Sequence, residues 1–373
     1  MNLKKLFKSL LPGIFLFGFN IGTGSVTAMA KAGATYGMSL LWTILLSCII
    51  TFFMIHYYGK YAIVTGETAL AAFRKHIHPA VGVFFIVALT TNVSGSVIGV
   101  MGIIADICFE WSKTFITGGI PAVYFALFFI IVVYLLFLDG RMEFFQKVLS
   151  IIVAIMTVCF LINFFMLTPP LIEVVKGLVP RIPASEGGQN AFLVVASMVG
   201  TTVFSGLFII RTTLVKEAGW TIADLKIQRK DALFSAFMMF VISAAIMASA
   251  AGTLYVNGLG LENASQMITL LEPLAGPFAV AIFTFGIVSA GLTSQFPNVL
   301  LLPWLLCDYN QTDRNLKLKK YRIMVFFISL LGLVVPIFNA KPIVVMIASQ
   351  AFGSLIFPVT VSCILYLGNK RSI

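Results

Sequence analysis

Asn20-Ile21-Gly22-Thr23-Gly24-Ser25 interrupts the first hydrophobic run of this 373-residue chain. The run begins near Leu11, and two of the six interrupting residues are glycine. A helix in lipid rarely breaks without a reason, because freed backbone groups find no water there. Paired interruptions in the two halves of a chain mark the solute site of many secondary transporters. A second candidate exists at Ser205-Gly206, inside the apolar run from Ala191 to Ile210.

The composition demands a membrane. The chain is 60% hydrophobic and 10% charged, more apolar than a soluble domain of this length can hide. Lys4, Lys5 and Lys8 resemble a signal-peptide n-region. No small-residue cleavage site follows, so the segment reads as a retained first span. The formal charge of +11 reflects basic loops rather than nucleic-acid binding, since aromatic residues do not interleave with the basic runs. Cys48, Cys108, Cys159, Cys307 and Cys363 show no metal-ligand spacing and read as small apolar residues. His56, His76 and His78 fall at or near span ends.

Apolar runs long enough to cross a bilayer fall near 11–33, 39–59, 80–105, 117–138, 144–168, 190–211, 232–256, 273–306, 321–337 and 342–367. These are numbered spans 1 to 10. With the N-terminus in the cytoplasm, 20 of the 25 Lys and Arg residues fall on the inside. Lys31, Lys113, Lys176, Arg181 and Lys341 remain outside. That bias supports ten spans with both termini inside, and a bacterial cell membrane is the expected location. Spans 1 and 6 then begin two halves of five spans, about 11–168 and 190–367. An odd number of spans per half makes the halves inverted. The expected fold is an all-α bundle of LeuT type with discontinuous spans 1 and 6, in one transporter domain over 1–373. No phosphate-binding P-loop appears, so neither ATP-driven pumping nor an enzyme is expected, and no cofactor.

The interruptions carry polar groups that suit a transported solute. Candidate binding residues in and beside span 1 are Asn20, Gly22, Thr23, Gly24 and Ser25. Span 6 offers Thr201, Thr202, Ser205 and Gly206, with Phe204 and Leu207 beside them. Asn92 stands with Thr91, Ser94, Gly95 and Ser96 in span 3, and an amide there is costly in lipid unless it meets a cavity or a partner. Span 8 contributes Thr293, Ser294, Gln295 and Asn298, and span 10 contributes Ser349, Gln350 and Ser354. The competing readings are close packing, as in Gly18-xxx-Gly22 and Gly95-xxx-Gly99, and interhelical hydrogen bonding. No acidic residue falls at the middle of an expected span. Divalent ions stripped of water and proton relays both normally need one. Arg211, at the inner end of span 6, reads as an interfacial anchor, with a gate role as the alternative.

Several stretches resemble the Nramp family of divalent-metal transporters. They are Leu11-Pro12-Gly13 and the run from Ala32-Gly33-Ala34 to Leu41-Trp42. Ile63-Val64-Thr65-Gly66, Gly140-Arg141-Met142-Glu143 and Gly177-Leu178-Val179-Pro180 follow in the family's order. Met198-Val199-Gly200-Thr201-Thr202-Val203 and Ser349-Gln350 complete the set. The resemblance implies a LeuT-type secondary transporter. It also places Gly22-Thr23-Gly24-Ser25 opposite the family's Asp-Pro-Gly-Asn, whose Asp and Asn bind metal. Phe204-Ser205-Gly206-Leu207 stands opposite Met-Pro-His-Asn, and Asn92 and Gly95 stand opposite an acidic pair associated with proton movement. The expected function is therefore transport of a divalent metal cation through a strongly altered site. Thr23, Ser25 and backbone carbonyls near Gly22 and Phe204 would serve as ligands, directly or through water. The alternatives are a small neutral or zwitterionic organic solute, with Na⁺ as a coupling ion, or a non-transporting sensor. The expected partners are the transported solute and the lipid bilayer, with no nucleic acid.

Overall fold

The computed structural model describes residues 22–139, 142–167, 171–184, 190–271 and 279–370. Asn20, Gly18 and the first half of span 1 lie outside the described residues. Among those residues the regular structure is entirely helical, and nine helices are long and apolar enough to cross a bilayer. Span 1 enters as the helix Thr23–Tyr36. Span 2 is Leu41–Thr65, span 3 Pro79–Ser112, span 4 Ala122–Asp139 and span 5 Met142–Leu167. Span 6 is two helices, Ala191–Thr202 and Ser205–Glu217. Span 7 is Leu225–Ala250, continued by a π turn at Ala251–Tyr255. Span 8 is Ala279–Asn310 and span 10 Pro342–Asn369. Span 9 runs from Lys319 to Phe338 through a 3₁₀ turn at Leu331–Leu333.

Spans 3, 7 and 8 extend beyond the apolar runs. Span 3 starts where Pro79 occupies the first turn and His78 accepts a hydrogen bond from Ala80 N–H. It runs on to Ser112 and so takes Asp106 into the helix. Asp231 and Asp308 likewise fall inside helices rather than loops. Span 4 starts later than its apolar run suggests, because turns occupy the residues after Ser112 and Gly118 and Gly119 adopt positive φ.

The bundle is layered by burial. Spans 4 and 5 are only 22% buried across their most apolar windows, against 72% for span 6. Side chains such as Tyr124, Phe128, Ile131, Leu135 and Ile151 therefore stand exposed, as expected of a lipid-facing shell. Small residues let the central helices approach. A Cβ at Gly200 would fall 1.8 Å from Gln350 O, and one at Gly33 would fall 2.2 Å from Met247 O. These contacts lock span 6 onto span 10 and span 1 onto span 7. Gly95 and Gly99 both face span 10, against Ser349 and Met346, as the packing reading of that pair requires.

Arg211 departs from the expected anchor. Span 6 continues to Glu217, so Arg211 sits inside the second half-helix and is wholly buried. Its Nη2 lies 2.7 Å from Asp231 Oδ2, with both side chains fully inaccessible. The guanidinium also stands 5.2 Å from the Trp220 ring centroid. An arginine this deep persists because the carboxylate of span 7 neutralises it.

Candidate substrate site at the helix breaks

The break in span 6 lies at Val203 and Phe204, one or two residues before Ser205-Gly206. Val203 (φ −101°, ψ 52°) and Phe204 (φ −74°, ψ 112°) leave the helical region. Ser205 and Gly206 already belong to the second half-helix. Gly206 is needed there for space, since a Cβ would sit 2.5 Å from the Phe204 ring. Polar groups on both sides of the break find partners. Thr51 Oγ1 donates to Thr202 O at 3.0 Å, and Thr360 Oγ1 donates to Ser205 Oγ at 2.7 Å.

The described part of span 1 is helical from Thr23, so Thr23, Gly24 and Ser25 form a helical turn rather than an unwound loop. Gly22 is the N-cap in extended geometry, with no side-chain cap. Its carbonyl accepts from Val26 N–H at 3.1 Å and so opens the helical ladder instead of facing a ligand freely.

Between the start of the helix Thr23–Tyr36 and the break in span 6 lies a cavity of about 50 Å³. Ser25 Oγ and Thr201 Oγ1 meet across it at 3.1 Å and join spans 1 and 6. Gly22, Gly24, Phe204 and Gln350 contribute walls, and Ser294 and Asn298 of span 8 close one side. Asn92 and Ser96 of span 3 face it together with Val93 and Val100. Asn92 Nδ2 donates to Ser349 O at 2.7 Å, and Ser349 Oγ donates back to Asn92 O at 2.9 Å. The amide is thus also interhelical glue, and its Oδ1 makes no hydrogen bond among the described residues.

The site has partial charges but no formal ones. The lining contains no ionisable side chain. Among the described residues no cluster of three His, Cys, Asp or Glu side chains exists that could hold a metal. The N-terminus of helix Thr23–Tyr36 brings a positive pole to the cavity, and the C-terminus of helix Ala191–Thr202 brings a negative one. Lys31, on the same span 1 helix, directs its ammonium away. Its Nζ donates to Leu261 O at 2.6 Å and lies 3.7 Å from Glu262 Oε1.

Several of the sequence candidates, Thr23, Ser205, Gly206, Leu207 and Gln295 among them, do not line the cavity. Thr23 Oγ1 turns toward Ile287 O of span 8, at 3.5 Å. Ser205 is held by Thr360, Gly206 lies against the Phe204 ring, and Leu207 is wholly buried in the core. Gln295 is 1% exposed, and neither end of its amide has a hydrogen-bond partner among the described residues. Its neighbours Ser294 and Asn298 line the cavity instead. They are four residues apart and share a helix face, from which Gln295 is rotated by about 100°. Ser96, Thr201, Ser294 and Asn298 were visible as polar residues within spans. Val93 and Val100 carry no polar signal and follow only from the helix face that Asn92 and Ser96 define.

A broken span 6, a helix of span 1 starting at the break and a solute-sized cavity between them define a multi-pass transporter bundle of LeuT type. The protein-family model for natural resistance-associated macrophage protein-like sequences matches residues 14–373. The chain belongs to the Nramp family. It is 23% identical to the divalent metal cation transporter MntH of Caldanaerobacter subterraneus subsp. tengcongensis, over 100% of this chain and 87% of that protein. The crystal structure of the Eremococcus coleocola manganese transporter superposes with a TM-score of 0.77 at 16% identity, covering 99% of this chain and 80% of that one. The nucleobase-cation-symport-1 family transporter Mhp1, in a closed conformation, superposes with a TM-score of 0.58 at 16% identity, covering 98% and 79%. The chain is accordingly an integral membrane transporter and not an enzyme.

Proposed function

We propose that this protein carries a divalent metal cation through the cavity between spans 1, 3, 6, 8 and 10, with part of the ion's water retained. The observation that carries this reading is the lining itself: neutral oxygen donors around about 50 Å³. At about 10–15 Å³ per water, that space holds roughly three to five water molecules or a partly hydrated ion. Organic-ligand pockets of about 300–1,000 Å³ are much larger. Hydroxyl and amide oxygens suit a hard ion, and Mg²⁺ in particular keeps several of its waters when bound. The name of the MntH relative supports a divalent cation as the cargo. Ser25 and Thr201 are the direct contacts, joined by the amides of Asn92, Asn298 and Gln350. Thr23 is not among them, because it bonds toward span 8.

Transport proceeds by alternating access. Spans 1 and 6 pack against one another and are joined across the cavity by the neutral hydroxyl pair of Ser25 and Thr201, a bond weak enough to be given up in a cycle. Spans 3 and 10 are bolted together by the Asn92–Ser349 exchange and stay as scaffold. The domain runs over 1–373 as two inverted repeats, about 11–168 and 190–367, with both termini in the cytoplasm of a bacterial cell. The test is uptake into proteoliposomes. Mg²⁺ influx should be saturable, blocked by Ser25→Leu and insensitive to excess glycine or alanine. Uptake of either zwitterion with no Mg²⁺ flux would replace the metal reading with an organic solute.

A further inference from the structure

A second and larger cavity, about 520 Å³, lies beside the short helix Leu171–Gly177 and beyond the end of the span 1 helix. Tyr36, Met38, Glu173, Lys176, Arg181 and Tyr255 line it. Lys176 and Arg181 bring two cations against the one carboxylate of Glu173. Neither cation forms an ion pair among the described residues. The cavity therefore holds a net positive charge that nothing in the described fold neutralises. A transported cation would be repelled there, whereas an anion would be attracted.

The surroundings specify what kind of anion. Ile172, Val175 and Val179 are 64%, 55% and 59% exposed beside the two cations. An apolar flank that long, next to a basic pair, suits a molecule that is anionic at one end and hydrocarbon at the other. Trp42 fixes the depth of the site. Its indole N–H donates to Arg181 O at 3.1 Å, which anchors the basic segment at an aromatic of the interfacial kind. The floor is rigid, since a Cβ at Gly177 would meet Met38 O at 2.2 Å.

We propose that this cavity binds the phosphodiester headgroup of an anionic phospholipid. Lys176 and Arg181 hold the phosphate, and an acyl chain runs over Ile172, Val175 and Val179. The lipid would sit against Tyr36, the last residue of the span 1 helix, and Tyr255, in the π turn of span 7. It would thus brace the two elements whose packing holds span 1 in place.

The test is native mass spectrometry of the full-length protein in detergent, offered phosphatidylglycerol and phosphatidylcholine in equal amounts. Wild type should retain phosphatidylglycerol preferentially. Lys176→Gln/Arg181→Gln should lose about thirtyfold of that preference, at roughly 1 kcal/mol for each cation near an anionic lipid. Both side chains are exposed, so the fold should survive, and Lys113→Gln should behave as wild type. Equal retention of the two lipids by wild type, or undiminished preference in the double variant, overturns the proposal. Displacement of phosphatidylglycerol by inorganic phosphate at about 10 mM would show a free-anion site and overturn the lipid assignment. Mg²⁺ transport plays no part in this readout, so its outcome is independent of the transported solute.

Discussion

Ser25 Oγ and Thr201 Oγ1 stand 3.1 Å apart and join span 1 to the broken span 6 across the cavity. A neutral hydrogen bond of this kind contributes about 0.5–1.5 kcal/mol net, little enough to be given up during a transport cycle. Ser25→Ala and Thr201→Ala should each lower unfolding stability by about 1 kcal/mol. The double variant should fall by clearly less than the sum, because both remove the same contact. Thermal unfolding of the four proteins in one detergent measures the coupling. Strict additivity would mean that the pair does not interact.

Gly22 and Ser294 form a lock of the opposite kind. A Cβ at Gly22 would lie 1.8 Å from Ser294 Oγ. The sequence resemblance sets Gly22 opposite the family's metal-binding Asp, and Ser294 fills the space such a side chain would need. Gly22→Asp alone should therefore destabilise by about 1–3 kcal/mol and fail to confer Mn²⁺ uptake. Gly22→Asp with Ser25→Asn and Ser294→Gly should recover stability and gain Mn²⁺ uptake. Uptake by the two-site variant with Ser294 intact would contradict the steric reading.

The buried Arg211–Asp231 pair is a structural bolt. Removing one member strands a charge, so Arg211→Met or Asp231→Leu should each cost about 3–5 kcal/mol. Arg211→Met/Asp231→Leu should be closer to wild type than either single change. Denaturation midpoints in detergent give the ranking, and a double variant worse than both singles would refute it.

Glu67 sets an acid limit on the turn between spans 2 and 3. Burial pushes its pKa up, but hydrogen bonds from Lys75 at 2.6 Å and His76 at 2.7 Å outweigh burial and hold it below the usual carboxylate value. A depressed folded-state pKa gives stability that is present above the unfolded value of about 4.3. That contribution disappears as pH falls through the folded-state pKa. Glu67→Gln should lower the unfolding temperature at pH 7 and narrow the gap to wild type at pH 3. A constant gap from pH 7 to pH 3 would assign the effect to something other than ionisation.

Much of the fold was legible because lipid imposes simple rules. Each span is an apolar run, and the described spans match those runs within a few residues wherever turns or Pro79 set the ends. The misplacements have a common cause. Apolar runs stop where charge begins, whereas helices continue: span 7 begins at Leu225 and span 8 ends at Asn310. Asp231 and Arg211 therefore moved from expected loops into the interior. The site was legible as polar residues inside spans, but their facing was not. Thr23 and Gln295 differ from Ser25 and Ser294 only by rotation around a helix, which depends on neighbours far away in sequence. The span 6 break was misplaced because glycine suggested unwinding, while Gly206 serves to make room for Phe204 and the backbone turns at Val203.

Isothermal titration of the purified protein with Mg²⁺, repeated on Ser25→Leu, tests the central claim most directly. A neutral oxygen-lined cation site predicts saturable binding with a Kd of about 1 mM or tighter, lost in the variant. No saturable heat up to about 10 mM, or equal binding by Ser25→Leu, would contradict a cation site between spans 1 and 6.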